Sequence, residues 1–195
     1  MKYIITIVAA LFISALSYAQ SLYSFDYTMS FGTGKTGDYI QNPSFRGITF
    51  EGRGFIDDNV SLGGLFTWST FYESLSGETY TQGTATLTGN QYRYINAYPM
   101  LFQAHYYMGN DDLEPRLYLG GGTGAYRINQ RVDFGVYSVE ERNWHFGFSP
   151  EVGLLVPVSF DSYLNVSFRY HYVLKAKDTI DHSWFGLSIG MAWGS

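Results

Sequence analysis

A chain of 195 residues is long enough for one domain with a sizeable core. Its formal charge of −5 argues against nucleic acid as a partner, and the absence of cysteine excludes disulfides and a lipidated N-terminal Cys. Aromatic residues make up 19% of the chain, with 18 Tyr, 15 Phe and 22 Gly, while mean hydropathy is only −0.10. Soluble domains seldom carry so many aromatic rings, whereas a membrane-spanning barrel uses them as belts at the lipid–water interfaces.

The chain opens with Met1-Lys2, an apolar stretch from Ile4 to Leu16, and Ser17-Tyr18-Ala19. A positive start, an apolar run and a small-residue site form the pattern of a secretory signal peptide. Residues 1–19 are therefore expected to be cleaved, leaving residues 20–195 as one barrel domain. No later stretch is long and apolar enough for a transmembrane helix.

Beyond it, apolar and polar residues alternate in eight segments: 22–31, 47–56, 60–71, 97–108, 116–125, 144–156, 163–173 and 184–193. Side chains on a strand alternate between two faces, so each segment has one oily face and one small or polar face. The last segment is representative: Phe185, Leu187, Ile189, Met191 and Trp193 share one parity, Gly186, Ser188, Gly190 and Ala192 the other. All charge within the segments falls on the second parity. An Arg or Lys facing lipid at mid-depth costs roughly 2–4 kcal/mol, so the oily parity is expected to face hydrocarbon.

Short connections (57–59, 109–115 and 157–162) alternate with long ones (32–46, 72–96, 126–143 and 174–183). That alternation predicts an all-β fold, an eight-stranded antiparallel up-and-down transmembrane β-barrel with periplasmic turns and external loops. Within the long connections, Ile128, Val132, Val136, Tyr137 and Val139 favour strand, with a bend near Asp133-Phe134-Gly135. Thr79, Thr81, Thr84, Thr86 and Thr88 make the second external connection equally β-prone. Both either project as hairpins or continue the barrel wall.

Two stretches carry a family resemblance. Gly120-Gly121-Gly122-Thr123-Gly124-Ala125-Tyr126 follows Leu117-Tyr118-Leu119, and Ser149-Pro150-Glu151-Val152-Gly153 lies in the sixth segment. They resemble the fifth and sixth strands of the small outer-membrane barrels of the OmpA transmembrane-domain and OmpX type. The final segment is similar to the assembly signal of those proteins, departing from it in that Gly194-Ser195 follow Trp193. The resemblance implies residence in the outer membrane, insertion by the barrel-assembly machinery and contact with outer-membrane lipid.

The inward parity holds Asp26, Glu51, Arg53, His105, Arg116, His145, Glu151, Arg169 and His171. Pairing neighbours puts Asp26 beside Glu51 or Arg53, and Glu151 diagonal to Arg169. An eight-stranded barrel has an interior just wide enough for side chains to fill. Asp26, Glu51, Arg53, Glu151 and Arg169 are therefore expected to form a central ion-pair network that plugs the lumen, like the one the OmpA-type barrels carry. Three acids against two arginines leave one carboxyl able to hold its proton.

Other motifs lead nowhere as sequence. Gly34-Lys35-Thr36 resembles part of a phosphate loop, but Met29 stands at its first glycine, and a mobile external loop with no helix is expected there. His145 and His171 are expected to approach each other near the external rim, an incomplete metal site. Lipid A deacylase places His and Ser two residues apart; here His171-Tyr172-Val173 has Val at that place, and adjacent Asp181-His182-Ser183 face alternate ways. No catalytic residue, metal or cofactor is expected. The expectation is a monomeric barrel, not an enzyme, serving envelope structure and/or surface adhesion or partner docking through its external loops. A narrow pore or a lipid A-modifying enzyme is the alternative.

Overall fold

The computed structural model describes residues 20–82, 85–109, 114–135, 137–176 and 179–194, with the backbone path alone for the described part of 78–88. Residues 1–19, where a signal peptide is expected, lie outside the described residues. The elements run β1 (Ser21–Thr33), α1 (Gly34–Tyr39), β2 (Gly47–Asp57), β3 (Val60–Gln82), β4 (Ala85–Met108), β5 (Arg116–Phe134), β6 (Tyr137–Ser159), β7 (Ser162–Val173) and β8 (His182–Gly194). Each strand pairs antiparallel with its sequence neighbour. The ring closes where β1 pairs β8 from Leu22↔Gly194 to Thr33↔Ser183. Closure satisfies the backbone groups that an open sheet would leave bare in hydrocarbon.

The two parities face as the alternation predicts. On β4, Phe102 is 49% exposed while its neighbour Gln103 is fully buried. The same holds around the wall: Phe25, Phe50, Phe66, Leu119, Phe148, Phe168 and Ile189 all stand outside. Among the described residues no Asp, Glu, Lys, Arg or His interrupts this band at mid-depth, so the exposed surface is a lipid-facing one.

The wall is not level. The β2–β3 ladder stops at Gly47↔Ser69, and the β6–β7 ladder stops at Gly147↔Val173. Between those limits β3, β4, β5 and β6 continue upward, β3–β4 to Gln82↔Ala85 and β5–β6 to Phe134↔Tyr137. β4 and β5 stay paired as far as Gln91↔Phe134. Residues read as the second and third long connections are thus mostly strand, a four-stranded arm standing above the barrel. The turn of β5 into β6 falls at Gly135, whose φ of 53° suits glycine.

The first external connection departs from expectation. It is not a mobile loop: it forms α1 and folds down over the mouth, with Thr36 and Ile40 fully buried. A bridge from Ser30 to Ser44 fixes its far end, and Lys35 on α1 pairs with Asp181 in the last connection. The helix forms because Ile40 and Thr36 find apolar and hydrogen-bonding partners inside the rim, which no local pattern announces.

If the oily parity meets lipid, Phe102→Arg should destabilise the barrel by about 2–4 kcal/mol in denaturant titrations of vesicle-inserted protein. Unchanged stability would mean that this face does not touch hydrocarbon.

Candidate functional site: the filled lumen and the external crown

The inward side chains stack in layers. At the periplasmic end Leu22, Tyr107, Tyr118, Leu155 and Ala192 form an apolar cluster with Phe55 and Tyr163 against it. At the external end Ile40, Leu65, Phe71, Ile95, Tyr126, Ile128, Val173 and Trp184 form another. Trp184 fills the mouth, stacked on His171 at 4.7 Å and edge-on to Phe71 at 6.1 Å and Tyr126 at 5.9 Å. Beneath it runs a hydroxyl chain, Thr28 to Thr49 at 2.8 Å, Thr49 to Thr67 at 2.9 Å and Thr28 to Ser188 at 2.8 Å.

Charge sits between the apolar clusters. Arg53 donates from Nε to Glu51 Oε1 at 2.7 Å and from Nη2 to Glu51 Oε2 at 3.0 Å, a two-pronged fork. Its remaining N–H groups reach the Tyr107 and Tyr118 hydroxyls, both at 3.0 Å, and the guanidinium lies 4.3 Å above the Tyr118 ring. Arg169 forks onto Glu151, from Nε at 3.1 Å and Nη2 at 2.6 Å, and also reaches Glu51 Oε2 at 3.3 Å. The four charges thus form one linked group. Two forks satisfy most of the carboxylate lone pairs, as buried charge requires.

The fifth expected member behaves differently. Asp26 lies opposite Thr49, not beside Glu51 or Arg53, because β1 and β2 pair Ser24 with Glu51 and Leu22 with Arg53. Its oxygens accept from Ser24 Oγ at 2.9 Å and Asn165 Nδ2 at 3.0 Å, neutral donors both. Glu151 is directly opposite Arg169 rather than diagonal to it. A bulge between Pro157 and Ser159 causes this: run straight from Ser159↔Ser162, the ladder would set outward Tyr170 against Glu151.

Three residues that the expected network lacked complete it. His105 Nε2 lies 3.3 Å from Glu51 Oε1 and 3.4 Å from Glu151 Oε2, bridging the two acids. The Tyr118 hydroxyl stands 3.2 Å from Glu151 Oε1 and 2.9 Å from Asn165 Oδ1, linking the ionic group to the residue that holds Asp26. Inward parity was the available signal for all three, and His105 carried it. Arg116, also inward, lies at the periplasmic mouth and donates to the Asp58 carbonyl at 2.8 Å.

Glu51, His105 and Glu151 bring ligand atoms within 4.8 Å of one another. They do not suit a metal, because both carboxylates already hold guanidinium forks and a cation would meet two arginines. Glycines make room for this bulk. A Cβ on Gly120 would lie 2.3 Å from His105 Cδ2, and one on Gly153 would lie 2.2 Å from Tyr118 Cζ.

In the crown above the aromatic belt, His145 does not meet His171. His171 turns inward, its Nδ1 3.1 Å from the Tyr126 hydroxyl. His145 instead packs beside His182, ring centroids 5.5 Å apart. Burial in the crown, with His145 alongside, pushes the His182 imidazole down to about 4, so it is neutral at physiological pH. On the outer face of the arm, Tyr72 and Tyr94 pack at 5.0 Å and Arg131 lies 5.7 Å over the Tyr94 ring. Arg131 forks onto Asp133, and Arg142 onto Glu140, holding both carboxyls below the usual range.

No protein-family model matches this sequence, and no curated protein does. Solved structures match well. Ail, the attachment invasion locus protein of Yersinia pestis in complex with the heparin analogue sucrose octasulfate, superposes with a TM-score of 0.58 at 12% identity, covering 91% of this chain and 99% of Ail. OprG of Pseudomonas aeruginosa matches at a TM-score of 0.57 and 10% identity, over 91% of this chain and 96% of that one. Neisserial surface protein A gives 0.55 at 14% identity, over 89% and 96%. The fold is that of the small eight-stranded outer-membrane β-barrels. With the lipid-facing band, it puts this chain in the bacterial outer membrane.

Removing one partner from a buried ionic group leaves uncompensated charge, so Arg169→Met should cost about 3–5 kcal/mol in denaturant unfolding of the micelle-bound barrel. A loss below about 1 kcal/mol would contradict the linked arrangement. Gly153→Ala should displace Tyr118 and cost about 1–3 kcal/mol, read by the same titration.

Proposed function

We propose that this outer-membrane barrel is a non-enzymatic, monomeric scaffold that presents a rigid sheet to the outside for surface adhesion or partner docking. The carrying observation is the uneven wall: β3–β6 continue past the points where β2 and β7 end. Among the described residues no strand covers the outer edge of β3 beyond Thr70 or that of β6 before Phe146. Such edges accept an incoming strand by backbone hydrogen bonds. The arm's inner face is spent on packing, with Phe71, Ile95, Ile128 and Val132 buried. Its outer face offers Tyr72, Tyr92, Tyr94, Arg131 and Arg142, the residue types enriched in interfaces.

Other features support the same reading. The layered lumen opposes a pore, since ions would have to pass two apolar clusters and a satisfied ionic group. The inward placement of His171 opposes a lipid A-modifying site at the lipid face. Ring closure leaves no free edge within the membrane for a second copy. The Ail likeness brings attachment to mind as a role, and sulfated glycan as one probe.

Cells displaying the native barrel should adhere to immobilised matrix proteins, partner cells or heparin. Replacing residues 74–90 by a two-residue turn should reduce that attachment about tenfold or more while the barrel still folds. Equal attachment by both would sink the adhesion reading.

A further inference from the structure

The outer wall carries a second surface, at the foot of the arm: we infer that Arg46, Arg127 and Arg142 bind the phosphates of a polyphosphorylated lipid headgroup in the external leaflet. Strand register assembles them. Outward Trp68 on β3, Tyr98 on β4, Arg127 on β5 and Trp144 on β6 share one row, because Arg127 pairs with both Tyr98 and Trp144, and Trp68 stacks on Tyr98 at 6.4 Å. The next row outward runs Thr70, Asn96, Asn129 and Arg142 through successive pairs. Arg46, just before β2, joins the near end of that row, its carbonyl accepting from the Thr70 N–H at 2.9 Å.

The rings give the depth. Trp and Tyr settle where headgroups meet acyl chains, so the tryptophan row marks that level and the three arginines stand at it or one row beyond. The Arg127 guanidinium lies 5.4 Å from the Trp144 ring centroid. Neither row contains an acid, and Arg46 and Arg127 pair with no carboxylate among the described residues. Arg142 forks onto Glu140 through Nε and Nη2, which leaves Nη1. Asn96 takes the Thr70 hydroxyl on Oδ1 at 2.7 Å, so its amide N–H groups remain for an acceptor.

Phosphate is the anion this set fits. A guanidinium donates two parallel N–H bonds to it, and an amide N–H adds a third. Arg127 and Arg142 sit one strand and one row apart, close enough to share one phosphate. Neighbouring strands lie about 4.8 Å apart, so Arg46, three strands from Arg127, is about 14 Å away at the backbone and takes another. A headgroup bearing several phosphates spans that distance; a single phosphodiester does not.

The opposite boundary argues the same way. The periplasmic turns, 57–59, 109–115 and 157–162, hold six acids and no Lys or Arg. Arg116, beside them, has inward parity and donates to the Asp58 carbonyl. Among the described residues, cations that face headgroups therefore stand at the external boundary alone. Each Lys or Arg near an anionic leaflet adds to the attraction, so this asymmetry fits a leaflet whose charge is concentrated outside.

The test uses the full-length barrel in nonionic detergent, with binding read by native mass spectrometry. The probes are bisphosphorylated lipid A, the same lipid stripped of phosphate, phosphatidylglycerol and inorganic phosphate. Saturable binding of bisphosphorylated lipid A is expected, about tenfold or more tighter than either comparison lipid. Arg46→Gln, Arg127→Gln and Arg142→Gln combined should abolish that preference, and excess inorganic phosphate should not displace the lipid. The lipid comparison needs only native protein, so it decides the matter even if the combined variant fails to fold. Replacing residues 74–90 leaves both rows whole, which keeps loss of adhesion and loss of lipid binding distinct. Equal affinity for bisphosphorylated lipid A and either comparison lipid, a preference kept by the folded variant, or displacement by inorganic phosphate overturns the site.

Discussion

Everything in this molecule follows from one constraint: inside hydrocarbon no backbone N–H or C=O can go without a partner. Pairing β1 with β8 meets it, and in doing so determines the inside. Eight strands enclose a space that side chains fill, so every inward residue must be packed or hydrogen-bonded against others of the same parity. The ionic group of Glu51, Arg53, Glu151 and Arg169 is the answer for charge, and Trp184 with its ring neighbours is the answer for bulk.

The lumen is ordered along its axis rather than mixed. Apolar clusters at both ends exclude water from the charges between them, which strengthens each fork and raises the cost of losing any member. Size complementarity runs alongside charge: Gly120 and Gly153 stand where His105 and Tyr118 need their space. Asp26 is linked to this group through Asn165 and Tyr118. Neutral donors suffice for it because both arginines are committed elsewhere.

Above the membrane, hydrocarbon no longer demands closure, and the wall is released to grow unevenly. Half of the strands stop at the rim, and the other half go on as an arm whose edges water can satisfy. Its inner face leans on Ile40 from the α1 connection, so the arm's base and the cap stabilise one another. The external connections are therefore parts of a packed crown. His145 and His182 meet there because β6 and the start of β8 converge under that cap.

What could be read from residues alone was whatever depends on single-strand alternation. Parity is a property of the extended backbone itself, so the oily face, the inward acids and arginines, and the number of crossings were all legible in the order of residues. The four charges of Glu51, Arg53, Glu151 and Arg169 could be assembled on that basis. What was not legible depends on register and on connections folding back. The bulge at Pro157 decides that Glu151 faces Arg169, and β1–β2 pairing decides that Asp26 faces Thr49. The burial of Ile40, and His182 rather than His171 beside His145, were equally hidden. Alternation repeats every two residues and so determines which face a side chain takes. Which neighbour it meets there is set by a shift of one residue or the docking of a loop, and only the closed ring decides that.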